Sequence, residues 1–138
     1  MSMTATARRI GSELAHEVDV NDRHTIRTDE PVSLGGGDSG PAPHELLAAA
    51  LASCVATMIA IYADRRGWEL GESEVFVEYD PEAVPRRLDV ELRLGEGLSA
   101  EQIRRLERVA QTCPVRRALE TGFVYHERVL TRESHPAA

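Results

Sequence analysis

The chain has 138 residues, a formal charge of −7 and no lysine. That length suits one domain over residues 1–138 with a single core, and a composition that is 42% hydrophobic but only 4% aromatic makes this a core of Ala, Leu and Val. The acidic balance removes any general attraction for nucleic acid or an anionic membrane surface. The opening MSMTATARRI lacks the apolar run of a secretory signal, so a cytoplasmic setting with two reduced thiols is expected.

In chain order, Glu17–Val20 and Arg23–Thr28 flank the turn pair Asn21-Asp22 and predict an antiparallel hairpin with one polar face. A short strand, Pro31–Leu34, is expected next. Gly35-Gly36-Gly37-Asp38-Ser39-Gly40-Pro41 is a loop by composition. It lacks the G-x-x-x-x-G-K-[ST] pattern and a clear strand–turn–helix setting, so phosphate binding is disfavoured.

The longest uncharged stretch, Leu46 to Ala63, forms a helix. Pro43 suits its first turn, Glu45 complements its dipole, and Arg65, Arg66 and Gly67 close it. Leu47, Leu51, Cys54, Met58 and Ile61 share one face, and the opposite side, Ala49, Ala52, Ala56, Ala60 and Ala63, is also apolar. A helix apolar all round is buried on every side or spans a membrane. Seven alanines with Ser53, Cys54 and Thr57 are weakly hydrophobic for lipid, so burial is favoured over membrane insertion. A small monomer has little room to surround such a helix, which points to a homodimer with alanines at the contact.

Glu74–Tyr79 and Leu88–Leu94 alternate apolar and polar residues and predict a second antiparallel pair. Ser99 caps a helix, with Gln102 completing a capping box, and Ile103, Leu106, Val109, Ala110 and Cys113 line its inner face. Pro114 breaks it, a short helix Val115–Glu120 follows, and Phe123–Leu130 closes as a strand before a frayed tail, residues 131–138. The order β-β-(β)-α-β-β-α-α-β is α+β, with antiparallel hairpins around a long central helix.

Two cysteines are the chemical candidates. A thiol attacks as thiolate. Cys54 lies in an apolar stripe where desolvation opposes ionisation, and needs a cation or donor from elsewhere in the fold. Cys113 before Pro114 caps the short helix, where backbone N–H groups and Arg116 or Arg117 favour its thiolate. Whether the two meet depends on the tertiary fold, and free cysteines are often only buried. His44 and Glu45 could place a base or a carboxylate at the helix start, although a terminal hydrogen bond is the simpler role. His16, His24 and His126 show no metal-ligand spacing.

The runs GGGDSGPAPHELLAAALASC and TCPVRRAL, with the order of elements, resemble the OsmC/Ohr family of osmotically inducible and organic hydroperoxide resistance proteins. The resemblance implies an intertwined homodimer with two long central helices packed together. It also implies that Cys54 reduces a small apolar organic hydroperoxide, that Cys113 resolves the sulfenic acid as a disulfide, and that a dithiol such as a lipoyl group on a reductant protein restores the thiols. No bound cofactor or metal is implied. The family's peroxidases pair an arginine of the first hairpin with a glutamate at the helix start. Here these positions fall near Glu13 and on His44, with Glu45 one place later, so the chain looks closer to the OsmC-like branch. The alternative function is a non-catalytic small-molecule-binding or redox-sensing dimer.

Overall fold

The computed structural model describes residues 2–131. Three strands open the chain: β1 (Ala5–Arg9), β2 (His16–Val20) and β3 (His24–Thr28). They form one antiparallel sheet in the order β1-β2-β3, with Ala7 opposite Val18 and Val18 opposite Ile26. Asn21 and Asp22 both take positive φ, 52° and 54°, as a tight hairpin turn demands. The Asn21 side-chain oxygen accepts the Thr4 N–H at 2.8 Å, which ties the start of the chain to this turn. The sequence missed β1 because ATARR carries no large apolar residue to mark an inward face. All five of its residues are exposed.

The short strand expected at Pro31–Leu34 is instead a 3-10 turn, Val32–Leu34. Leu34 and Gly35 donate back to Pro31 and Val32, at 2.9 and 3.0 Å, so these amides close locally rather than in a ladder. The glycine loop then folds onto Asp29. One Asp29 oxygen accepts the amides of Gly37 and Ser39 and the Ser39 hydroxyl, at 3.2, 3.0 and 2.6 Å. The other accepts the Glu30 amide at 2.7 Å. Asp29 is only 2% exposed, and these donors hold its carboxyl at about 2, the Ser39 hydroxyl foremost. A Cβ at Gly36 would stand 1.9 Å from the Glu30 carbonyl oxygen, and one at Gly40 2.5 Å from that of Arg27. The loop therefore needs glycine at both places, and two of its amide donors already serve an internal anion.

α1 (Pro43–Arg65) packs against β4 (Glu74–Asp80), α2 (Ala100–Ala110) and α3 (Pro114–Thr121). β4 pairs antiparallel with β5 (Arg87–Arg93), placing Val75 opposite Leu92 and Val77 opposite Val90. The core is Leu51, Val55 and Ile59 of α1 with Leu106 and Ala110 of α2 and Cys113. The α2 capping box forms as expected: the Gln102 amide donates to Ser99 Oγ at 3.1 Å, and the Ser99 amide to Gln102 Oε1 at 2.7 Å.

Within one chain α1 is not buried all round. It is long and apolar enough to cross a membrane, yet Leu51, Val55, Ile59 and Ala63 pack inward as a core-helix edge, while Ala49, Ala50, Ser53, Thr57 and Ile61 are exposed. Of the residues that share the Cys54 face, Leu47 and Ile61 are exposed, while Val55 and Ile59 join Leu51 inside, so the expected burial on every side is not met within one chain. The physical reason is that β4, α2 and α3 together cover only one side of this helix. The expected strand Phe123–Leu130 is also absent. This segment is irregular and exposed, because among the described residues no strand lies alongside to accept its hydrogen bonds. The expected tail falls at residues 132–138, outside the described residues, apart from Thr131.

Candidate active site

Helix α1 carries Cys54 inward, one position before core residue Val55. The chain turns after α2, and Pro114 starts α3 as a first helical residue that needs no N–H. That leaves Cys113 as the N-cap. Its Sγ accepts the Arg116 amide at 3.4 Å, as its position before Pro114 suggests. The fold brings the two sulfurs together. Cys113 and the Val115 amide lie close enough that both act on the Cys54 thiol. Of the first two amides of α3, Arg116 donates to Cys113 and Val115 favours the Cys54 thiolate. Both residues are thiols. Cys113 is fully buried, whereas Cys54 is half-buried.

Burial, above all, pushes the Cys54 thiol up from its ordinary value. Cys113 acts in the same direction, and the Val115 amide opposes both. The guanidinium of Arg116 pairs along the helix with Glu120 at 3.6 Å. Arg8 is engaged by Asp19, and Arg9 donates to the Ser12 carbonyl at 2.6 Å. Glu13 is exposed in the β1–β2 loop.

His44 and Glu45 sit at the start of α1, ten and nine residues before Cys54, about 14 Å along the helix axis. Glu45 Oε1 accepts the Ala42 amide at 2.8 Å, so its carboxylate closes the helix start. His44 meets Tyr79 edge-on, ring centroids 6.0 Å apart. The two residues and Tyr79 border a cavity of about 390 Å³. Two further cavities, about 340 and 320 Å³, share Leu88 and Leu119. The first is walled by Leu51, Leu88, Val90 and Leu119, with Arg116 and Glu120 as its charged lining. Leu51 lies one turn before Cys54 on the same side of α1, and α3 supplies both the cavity wall and the amides at the sulfurs. Among the described residues no three His, Cys, Asp or Glu side chains gather to hold a metal ion.

Sequence reading did not find Tyr79, the Val115 amide or the Arg116–Glu120 pair. Only the last had a signal, the i, i+4 spacing of opposite charges. Tyr79 reads as an ordinary strand residue, and a backbone amide leaves no mark in a sequence.

A family model described as OsmC-like protein matches residues 35–126. The chain belongs to the OsmC family. Solved structures agree with this OsmC-like architecture. A protein of Psychrobacter arcticus named for osmotic stress induction and detoxification response is 26% identical, with a TM-score of 0.67 over 85% of this chain and 87% of that one. An organic hydroperoxide resistance protein OsmC of Legionella pneumophila is 24% identical, with a TM-score of 0.61 over 86% and 89%. A hydroperoxide resistance protein of Vibrio cholerae, with captopril in one of its active sites, is 25% identical, with a TM-score of 0.60 over 86% and 84%. Among curated proteins, none matches the sequence.

Proposed function

We propose that this OsmC-like protein is a cytoplasmic, thiol-dependent peroxidase that reduces small apolar organic hydroperoxides as a homodimer. The observation that carries the reading is the closeness of Cys54 to Cys113 at the head of α3, with Leu51, one turn before Cys54, and Arg116 of α3 both lining a cavity. The Cys54 thiolate attacks the outer peroxide oxygen, the O–O bond breaks, and the alcohol leaves as Cys54 becomes a sulfenic acid. Cys113 attacks that sulfur, water leaves, and a disulfide forms. A dithiol of the lipoyl kind returns both thiols and is itself oxidised to a cyclic disulfide. Leu51, Leu88, Val90 and Leu119 suit an alkyl or aryl peroxide better than hydrogen peroxide, which has no apolar part to desolvate.

Dimerisation is supported by what the single chain leaves uncovered. The outward face of α1 has no charge from Leu46 to Ala63, and Phe123, Val124, Tyr125 and Val129 are exposed together. Among the described residues, the first sheet packs chiefly within itself. The alcohol yield from cumene hydroperoxide, with dihydrolipoamide as reductant, tests the function. Cys54→Ser abolishes turnover, and turnover that survives this substitution refutes the assignment.

One observation favours a second reading. Cys54 is pushed up, and among the described residues no guanidinium acts on it, so the cavity could serve a non-catalytic small-molecule-binding or redox-sensing dimer. The absence of any Cys54–Cys113 disulfide after mild peroxide selects that reading.

A further inference from the structure

The two sulfurs are not equivalent partners in a disulfide. Cys54 is half-buried and reachable, while Cys113 has no exposed surface. Cys113 is also the N-cap of α3, and the Arg116 amide points at its Sγ from 3.4 Å. That amide has no carbonyl within the helix to serve: the first intrahelical bond of α3 runs from Arg117 to the Cys113 carbonyl, at 3.0 Å. Pro114 leaves the cap without a competing N–H at the first position. Charge appearing on Cys113 Sγ is thus met by a donor already in place and by the positive end of the helix. Thiol–disulfide exchange is governed by access to the attacked sulfur and by how well the departing sulfur carries charge. The Val115 amide also acts on Cys54, so the direction is chosen by access and by the N-cap position of Cys113.

We propose that the Cys54–Cys113 disulfide opens one way only: the reducing thiolate attacks Sγ of Cys54, and Cys113 departs as a thiolate received by the Arg116 amide. The Arg116 backbone is thereby a positioning group for regeneration, acting through Cys113. The bonds balance. A new S–S bond joins the reductant to Cys54 as the Cys54–Cys113 bond breaks, and the electron pair stays on Cys113. The second thiolate of the dithiol then displaces Cys54, which takes up a proton, as does Cys113. The dithiol is oxidised to a disulfide and the protein is reduced by two electrons. The inference rests on the disulfide of the proposed function but not on which peroxide forms it.

The test uses the full-length protein oxidised with diamide, so that no peroxide chemistry enters. A brief pulse of 2-mercaptoethanol, acid quenching and peptide mass spectrometry locate the mixed disulfide. The expected adduct is on Cys54, with Cys113 alkylatable, and an adduct mainly on Cys113 overturns the inference while leaving the peroxidase reading intact. Arg116→Ala and Arg116→Pro then isolate the amide, since both lose the guanidinium and only proline loses the N–H. Opening by 2-mercaptoethanol is expected to be at least fivefold slower in Arg116→Pro than in Arg116→Ala, and equal rates refute the part played by the amide. Should Arg116→Pro fail to fold, as circular dichroism would reveal, the adduct site in the unaltered protein still decides the direction. Failure of diamide to form the disulfide overturns both this inference and the resolving role of Cys113, whereas peroxide consumption by Cys54 is read independently.

Discussion

Replacing Thr57 by arginine puts a charge on the outward face of α1. In a single chain Thr57 is exposed and only its hydroxyl is engaged, donating to the Ser53 carbonyl at 2.8 Å. Arginine there stays in water, and its better helix propensity adds about 0.5 kcal/mol of helix stability. In a dimer built on this face the outcome reverses. The next carboxylate on that side is Asp64, seven residues away, roughly 10 Å along the axis, so each copy buries a guanidinium without a partner. An uncompensated buried charge costs about 3–5 kcal/mol, and the long side chain recovers part of this by reaching toward the edge. Taking about 4 kcal/mol for the assembled pair, the dimer dissociation constant rises roughly a thousandfold. Sedimentation equilibrium between 1 and 50 µM (concentrations chosen to bracket the shift) reads it, with circular dichroism showing unchanged helix content. A monomeric unaltered protein at the top of that range, or a variant whose dimer weakens less than threefold, refutes the reasoning.

Other consequences follow from the same contacts. Leu106→Ala, at a site with no exposure in the core beside Cys113, should cost about 3 kcal/mol and lower the melting temperature by about 10 °C, read by calorimetry at fixed protein concentration. Asp29 is held at about 2 in the fold against 3.8 ordinarily. As pH falls the unfolded chain takes the proton first, so this stabilisation is complete above pH 4 and disappears as pH drops toward 2. Asp29→Asn should flatten that part of the pH–stability curve and lower the melting temperature by several degrees at pH 7, and a curve identical to that of the unaltered protein would contradict the role of the carboxylate as anchor. Because burial raises the Cys54 thiol, its alkylation by iodoacetamide should be slow at pH 7 and rise almost tenfold per pH unit through pH 9. A rate flat across that range would mean that a donor absent from the single chain already ionises it. Ser99→Ala removes the α2 cap and should cost about 1 kcal/mol, seen as a shift in urea midpoint with unchanged slope.

What could be read from the chain alone lies within a few residues of itself. Pro43 and Glu45 at the start of α1, Gly67 after its end, the Ser99–Gln102 box and the cap formed by Cys113 before Pro114 all close hydrogen bonds over three or four positions. Their donors and acceptors are therefore adjacent in the sequence. The motif around Cys54 and the later Cys-Pro pair also carried the family. Features that depend on a distant partner were not legible. The closeness of Cys54 and Cys113 spans fifty-nine positions and arises only because α3 docks on α1. Asp29 looks like an ordinary loop acid until the glycine loop turns its amides upon it. A strand needs a neighbour, so the segments at 31–34 and 123–130 have β-like composition without a ladder in this chain, while the unpromising ATARR gains one from β2. The pattern along α1 determined that it would be a core helix. Which side faces the core was decided by β4, α2 and α3, because a helix apolar on every face holds no local preference for one of them.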